Sequence, residues 1–445
     1  MEIALKKSFL KGSIDVLTSK SVAHRIMLCA AAANGETVIY GLNNSADVEA
    51  TRRCLIALGA EFTEQTDGGC RVVPITQKSI VGDDALIVTD DKKTRAPVKL
   101  YCGESGSTLR FLIPYAAALG IPVEFYMEGR LPERPNGELL DVLEKHGIET
   151  RKNGSVLSVS GRLTAGTYRI GGKISSQFTS GLLMALPLVS GKSVVLTESG
   201  AESEGYVDIT EDVIRKFSVN ENKTDGKETF YSRVNKTETG YEIDGGAAYV
   251  SPKRITVEGD WSNAAFFIVA GVLNGDIVLK GLNPDSKQPD RAAVDILRRM
   301  GGNISFTGDL LTVKKSALVG TEIDARNIPD LVPVLAVAAG VAKGRTVFRN
   351  AGRLRLKESD RLEAVRGLLT ACGGRARIEG DSLIIDGIEA YLGGTADSLN
   401  DHRIAMSAAV LSCASNGIVT VRGAEAVNKS YPDFFRDLGK MQNAF

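Results

Sequence analysis

The chain has 445 residues, 43% of them hydrophobic, and its 54 Lys and Arg are matched by 54 Asp and Glu, so the formal net charge is zero. Single cores stop growing near about 250–300 residues, so two or three domains are expected. A zero balance argues against a general nucleic-acid or membrane-surface binder, which would carry a basic excess, and no apolar run is long and uncharged enough to span a bilayer. The first seven residues lack the basic-then-apolar order of a signal peptide. The six cysteines (29, 54, 70, 102, 372 and 413) form no CxxC pair and lie mostly in apolar or helical runs. Reduced, buried thiols in a cytoplasmic protein are therefore expected. The three histidines are scattered, which leaves no metal-ligand spacing.

In chain order, residues 3–17 read as a strand pair with a turn at Lys11-Gly-Ser13. They precede the first recurring unit and are expected to complete a second domain rather than the first. Residues 18–42 read as a helix and then a strand. Ser19 or Ser21 can cap the helix, an Ala-rich run follows, Asn34-Gly35 stops it, and Thr37-Val-Ile-Tyr40 has strand composition. Lys20 and Arg25 stand at the start of this helix, where the macrodipole already favours anions. Cations there weaken the helix unless an anion arrives to use both, and local rules tend to break at functional sites.

The pattern recurs. Ser105-Gly-Ser-Thr-Leu-Arg110, Ser175-Ser-Gln-Phe-Thr-Ser180, Asp260-Trp-Ser-Asn263, Ile328-Pro-Asp330 and Asn400-Asp-His-Arg403 each open an Ala-rich or apolar run that ends at glycine before a short strand. A more polar helix of period near 3.6 follows each strand, opening at Asp47, Asn136, Asp208, Asp290, Asp360 and Pro432. Six copies of one unit are implied, with a period of roughly 70–85 residues, longer than the about 20–50 of solenoid repeats. Each has an apolar inner helix and an amphipathic outer one. Two domains of three units are expected, residues 19–256 and residues 1–18 plus 257–445. Residues 220–249 are polar and outside this rhythm, a strand-rich excursion or exposed hairpin.

Eight cations open helices in this frame: Lys20, Arg25, Arg110, Arg134, Lys357, Arg361, Arg403 and Lys429. If helix N-termini face one cleft, their dipoles and N–H groups add to these charges, and the cleft attracts a strongly anionic ligand, or two. Arg forks suit carboxylate and phosphate, and Lys acts as a point charge. Like charges facing across an open cleft repel, so the free protein is expected to rest open and to close when anions neutralise them. Ser21, Ser175, Ser176, Gln177, Ser203 and Tyr206 lie at the same ends and can fix hydroxyls or phosphate oxygens; plain N-capping is the ordinary role of the serines. Asp330 and Glu358 are carboxylates in this basic setting, suited to proton abstraction or to neutralising the cations. His402, beside Arg403, is either a donor or a structural histidine. Gly103-Glu-Ser-Gly106 does not match a Walker loop, so the anions need not be nucleotides.

Taken together, Ser19-Lys-Ser-x-x-x-Arg25, Gly103-x-x-Gly-x-x-x-Arg110, Arg134-Pro, Ser175-Ser-Gln177, Ile328-Pro-Asp330, Lys357-Glu-x-Asp-Arg361, Asn400-Asp-His-Arg403 and Lys429-x-x-Pro432 resemble, in order and across nearly the whole chain, the 5-enolpyruvylshikimate-3-phosphate (EPSP) synthase family of enolpyruvyl transferases. The resemblance implies an α/β (α+β) fold of two similar domains, each of three helix-strand units, an inside-out α/β barrel with the active site in the interdomain cleft. It implies transfer of the enolpyruvyl group of phosphoenolpyruvate to the 5-hydroxyl of shikimate 3-phosphate, with release of phosphate, on the route to chorismate. It implies no metal or organic cofactor, and small-molecule substrates rather than nucleic acid or membrane. A cytoplasmic monomer is expected.

By the same resemblance, Lys20, Gly106, Arg134, Gln177, Arg361, Arg403 and Lys429 would hold phosphoenolpyruvate. Ser21, Arg25, Ser175, Ser176, Gln177, Ser203, Tyr206, Asp330 and Lys357 would hold shikimate 3-phosphate. Asp330 would take the 5-hydroxyl proton, Glu358 would handle the proton at the methylene carbon, and Lys20 would assist at the bridging or leaving oxygen. The chain departs from the family at Glu104, where Asn is usual, at Gly205, where Pro is common, at Arg353, and in the length of residues 220–249. The nearest rival, UDP-N-acetylglucosamine enolpyruvyl transferase, carries a reactive Cys in the loop matching residues 129–135, and none is present here. A non-catalytic anion-binding relative would not need Lys20, Asp330 and Glu358 together.

Overall fold

A computed structural model describes residues 1–75, 96–171, 175–197, 205–218 and 234–442. The chain divides into two compact units, Lys20–Val257 and Met1–Ser19 with Glu258–Phe445. The N-terminal strands β1 (Glu2–Leu5) and β2 (Leu10–Asp15) belong to the second of these.

The Lys20–Val257 unit begins with α1 (Lys20–Ala31), β3 (Thr37–Tyr40), α2 (Ala46–Ala57) and the hairpin β4 (Glu61–Glu64) and β5 (Gly69–Val73). It repeats as β6 (Val98–Gly103), α3 (Gly106–Leu119), β7 (Val123–Met127), α4 (Gly137–Glu144), β8 (Ile148–Asn153) and β9 (Val156–Gly161). The third copy is β10 (Thr167–Ile170), α5 (Ser176–Ala185), β11 (Lys192–Thr197), α6 (Gly205–Lys216), β12 (Val234–Thr237) and β13 (Gly240–Asp244), and β14 (Arg254–Thr256) ends the unit. The sheets have the orders β14-β3-β5-β4, β6-β7-β9-β8 and β10-β11-β13-β12. In each, the first pair is parallel and the others antiparallel. A parallel pair needs a crossover, and α3 and α5 supply it in their copies.

The other unit continues with α7 (Trp261–Asn274), β15 (Gly275–Lys280), α8 (Ala292–Arg299), β16 (Asn303–Thr307) and β17 (Leu310–Lys314). Then come β18 (Glu322–Asp324), α9 (Val332–Ala339), β19 (Arg345–Arg349), α10 (Arg361–Ala371), β20 (Arg375–Glu379) and β21 (Ser382–Asp386). The last copy is β22 (Gly394–Asp397), α11 (His402–Leu411), β23 (Val419–Arg422) and α12 (Phe434–Gln442). The sheets are β16-β17-β15-β2, β18-β19-β21-β20 and the three-stranded β1-β23-β22.

Two expectations are corrected. Residues 3–17 are not a hairpin: β1 pairs antiparallel with β23, β2 pairs parallel with β15, and the expected turn at Lys11–Ser13 lies inside β2. The glycine there has φ +104°, which a strand accommodates without reversing the chain. Residues 234–249 are not outside the repeat either. The hairpin β12–β13 occupies the same sheet positions as β4–β5 and β8–β9; residues 219–233 lie outside the described ones. Every copy except the last carries such a hairpin, and in the last β1 stands in its place.

The inner helices are buried on all sides. Every residue of α7, α9 and α11 is buried. At Gly181 in α5 a Cβ would stand 2.7 Å from the Arg110 carbonyl of α3, so only glycine permits that approach. Outer helices bury one stripe; in α8 this is Ala293, Val294, Ile296 and Leu297. Each unit closes its own apolar core. All six cysteines are free and buried. No helix of the described residues is long and apolar enough to cross a membrane.

In α12, Phe434 packs against Phe266, Phe267 and Tyr431 at centroid distances of 6.1, 5.6 and 5.7 Å. Phe434→Ala is expected to cost about 3–5 kcal/mol, measured as a lower urea midpoint; a change under about 1 kcal/mol would mean that α12 is not part of this core.

Candidate functional site

A helix buried on every side can expose polar groups only at its ends, so polar side chains of the inner helices gather in their first turns. In the Lys20–Val257 unit these turns meet. Arg25, 3% exposed, donates from Nε to Thr210 Oγ1 (2.7 Å), and from its two terminal nitrogens to the carbonyls of Ser21 (2.7 Å) and Tyr206 (2.9 Å) and to Ser180 Oγ (3.3 Å). The Phe111 ring lies 4.9 Å from its guanidinium carbon. All these partners are neutral, and burial pulls the Arg25 pKa down to about 9. Arg110 of α3 donates to Asn136 Oδ1 (2.9 Å), Gln177 Oε1 (2.9 Å), Ser175 Oγ (3.4 Å) and the Pro135 carbonyl (3.1 Å). Gln177 in turn donates to Ser107 Oγ (2.9 Å). Ser175 caps α5 by accepting from the Gln177 N–H, while Ser176 is the buried first residue of that helix.

Lys20, the first residue of α1, pairs with Asp47 at 2.6 Å. Behind them a buried chain runs from His24 Nδ1 to Thr51 Oγ1 and on to Thr108 Oγ1, at 2.7 Å per step. Burial, with Lys20 and Arg25 nearby, holds the His24 pKa well below its usual value, so the ring is neutral. Arg134 lies over the start of α3: a Cβ on Gly106 would stand 2.7 Å from its guanidinium. Gly106 is thus the residue that lets the guanidinium lie against the helix N-terminus. The Glu104 carboxylate fills the equivalent space against Gly129, where a Cβ would meet it at 2.3 Å.

The other unit gathers charge differently. Arg361, 1% exposed at the start of α10, donates to Asp401 Oδ2 (2.7 Å), Asp330 Oδ1 (2.8 Å) and Glu358 Oε2 (2.5 Å). Burial opposes its charge, but Asp401, Glu358 and Asp330 outweigh burial and raise its pKa. Asp330 also faces Lys357 (3.3 Å) and Arg403 (3.1 Å). Asp401 caps α11 through the Arg403 N–H and accepts from Ser359 Oγ at 2.9 Å. Lys429 Nζ donates to the Asn400 carbonyl at 2.6 Å. Burial pulls the Lys357 pKa down to about 8, against the pull of Asp330.

Within each unit, then, the sequence candidates converge, through hydrogen bonds, ion pairs, close approach or a shared helix start. The first brings together Lys20, Ser21, Arg25, Gly106, Arg134, Ser175, Ser176, Gln177 and Tyr206; the second, Asp330, Lys357, Glu358, Arg361, Arg403 and Lys429. Ser203 lies outside the described residues. In the second cluster Lys357, Arg361 and Arg403 each face a carboxylate, the neutralising role that the sequence left open for Asp330 and Glu358. Sequence reasoning missed Asp47 and Asp401 as partners. Asp401 was visible inside Asn400-Asp-His-Arg403, and a cap preceding a cationic first turn was the signal. Asp47 looked like an ordinary acidic residue in the first turn of an outer helix. His402 is buried at the first residue of α11.

The model of the EPSP synthase (3-phosphoshikimate 1-carboxyvinyltransferase) family matches residues 5–438. The chain belongs to the EPSP synthase family. It is 38% identical over 441 residues to the 3-phosphoshikimate 1-carboxyvinyltransferase of Clostridium novyi, covering 99% of this chain and 97% of that one. The Clostridium kluyveri relative of the same name is 39% identical over 437 residues, with 98% and 96% covered. Among solved structures, EPSP synthase from Acinetobacter baumannii is 26% identical with a TM-score of 0.76 and covers 99% of this chain and 97% of its own. The enolpyruvyl transferase NikO of Streptomyces tendae, at 19% identity and a TM-score of 0.74, shares the fold.

Asp401→Ala removes one carboxylate from a guanidinium that is 1% exposed. Breaking a buried pair leaves an uncompensated charge, and the expected cost is about 3–5 kcal/mol, read as a fall in the chemical-denaturation midpoint. An unchanged midpoint would show that Asp330 and Glu358 alone satisfy Arg361.

Proposed function

We propose the following division of labour for the reaction of this family, transfer of the enolpyruvyl group of phosphoenolpyruvate to the 5-hydroxyl of shikimate 3-phosphate with loss of phosphate. Ser21, Arg25, Ser175, Ser176, Gln177, Ser203, Tyr206, Asp330 and Lys357 bind shikimate 3-phosphate. Lys20, Gly106, Arg134, Gln177, Arg361, Arg403 and Lys429 bind phosphoenolpyruvate. Supporting the first assignment, Arg25 is a buried cation with neutral partners, so a phosphate meets a charge that no carboxylate must first release. Supporting the second, a guanidinium laid across a helix N-terminus at Gly106 adds its charge to the free N–H groups there.

The chemistry is addition followed by elimination. Asp330 takes the 5-hydroxyl proton as the oxygen bonds to the central carbon of the enolpyruvyl group. Glu358 delivers a proton to the methylene carbon, giving a tetrahedral ketal. Elimination reverses the carbon step: the methyl group returns a proton to Glu358, the carbon–phosphate oxygen bond breaks, and Lys20 supplies a proton at the leaving oxygen. The observation that carries this reading is that Asp330 and Glu358 share Arg361, at 2.8 and 2.5 Å, inside a cluster with Lys357 and Arg403. Two carboxylates so placed can take different protons while cations hold the anions beside them. The reading retains a monomer in the cytoplasm that works without metal or organic cofactor.

Lys20→Met tests the chemical role. General acid–base groups contribute about 10²–10⁴-fold, so kcat is expected to fall at least a hundredfold with the unfolding midpoint near that of the unmodified protein. Near-normal turnover would remove Lys20 from the mechanism. A second test uses pH. Lys357, with its pKa near 8, is mostly charged at pH 7 and neutral by pH 9.5 in the free protein. Shikimate 3-phosphate affinity should therefore weaken as pH rises through 8, by up to about tenfold per unit, and calorimetric titration at several pH values reads it. Affinity that stays flat to pH 9.5 would contradict the assignment of Lys357.

A further inference from the structure

The unit formed by Met1–Ser19 and Glu258–Phe445 has a concave feature at the C-terminal ends of its inner helices, opposite the ends beside Asp330 and Arg403. A basin of about 510 Å³ is lined where α7 ends (Leu273), after α9 (Val341, Lys343) and after α11 (Cys413, Ala414), and where the chain leaves β17 (Lys315, Leu318) and β21 (Ile388, Glu389). Lys7, between β1 and β2, completes the rim. The two helices α9 and α11 have 8 and 10 residues. At 1.5 Å per residue the basin is roughly 12–15 Å from the helix starts beside Asp330 and Arg403, so its occupant touches neither.

Its chemistry is specific. The floor is apolar, from Leu273, Leu318, Val341, Ile388 and Cys413, and the rim holds three lysines and one acid, Glu389. Helix C-termini carry partial negative charge and attract cations, and Lys315 serves this need directly, donating to Asn274 Oδ1 at 3.0 Å on the last residue of α7. Lys7 and Lys343 are not used in this way. Among the described residues neither ammonium makes a hydrogen bond or ion pair. The rim therefore sets three lysines against Glu389 and the three helix C-termini above an apolar floor, in a volume inside the range of about 300–1,000 Å³ of small-molecule sites.

We infer that this basin is a second ligand site, for a small organic carboxylate with an apolar body: the body on the Leu273–Ile388 floor, the carboxylate on Lys7 and Lys343. The inference goes beyond the transfer reaction and stands without it. Phenylacetate is the probe, with acetate as the head alone and 2-phenylethanol as the neutral body, titrated into the full chain by calorimetry. Phenylacetate should bind in the millimolar range or tighter, at least tenfold better than either control, and equally well with shikimate 3-phosphate at saturation. Lys343→Glu and Lys7→Glu should each weaken it at least threefold, with thermal midpoint and turnover unchanged. The inference is overturned if phenylacetate does not bind, if 2-phenylethanol binds as well, if shikimate 3-phosphate displaces it, or if both variants bind as the unmodified protein does.

Discussion

The constraint on which this structure turns is that its inner helices have no solvent face. α7, α9 and α11 are buried from first residue to last; their interior N–H and C=O groups pair along the helix, so the backbone groups left unpaired are at their ends. A first turn offers unpaired N–H groups, and a neighbour's first turn is the nearest place for a long cationic side chain to find acceptors. Arg110 reaching Ser175 and Gln177, and Arg403 reaching Asp330, are both contacts of this kind. The sheets enforce it by placing a parallel pair in every copy, which returns each chain segment in the same direction.

The two clusters solve the problem of buried cations in opposite ways. Arg25 is held by hydroxyls, carbonyls and an aromatic face, and the absence of a carboxylate among these partners leaves its pKa depressed. Arg361 is held by three carboxylates and its pKa is raised. An anion entering beside Arg25 gains attraction without breaking an ion pair. An anion entering beside Arg361 and Arg403 must compete with Asp330 and Glu358, and proton uptake by those carboxylates lowers that competition. On the proposed roles, the competition and the proton transfers are one process.

Much of this was legible in the sequence because helix openings are local. Caps, cations and glycine stops lie within a few residues of one another, so the six inner helices and the convergent residues at their N-termini could be read from spacing. The partners that hold those cations could not. Asp47 is 27 residues from Lys20, and Asp401 is 40 from Arg361; only the sheet topology brings them together. Strand pairing failed for the same reason. β1 and β2 look like neighbours, yet their partners are β23 and β15, which no local pattern specifies. The hairpin β12–β13 reads correctly as strand-rich, but its polar, charged sequence hides its place in the repeat, at a sheet edge where alternate residues face solvent. Glu104 was legible as a departure from the family, and its seat against Gly129 was not.

The most direct measurement is phosphate release from phosphoenolpyruvate, with shikimate 3-phosphate and UDP-N-acetylglucosamine offered as separate acceptors. The account predicts release with shikimate 3-phosphate alone. Release with UDP-N-acetylglucosamine alone, or silence with both while shikimate 3-phosphate still binds, would contradict it.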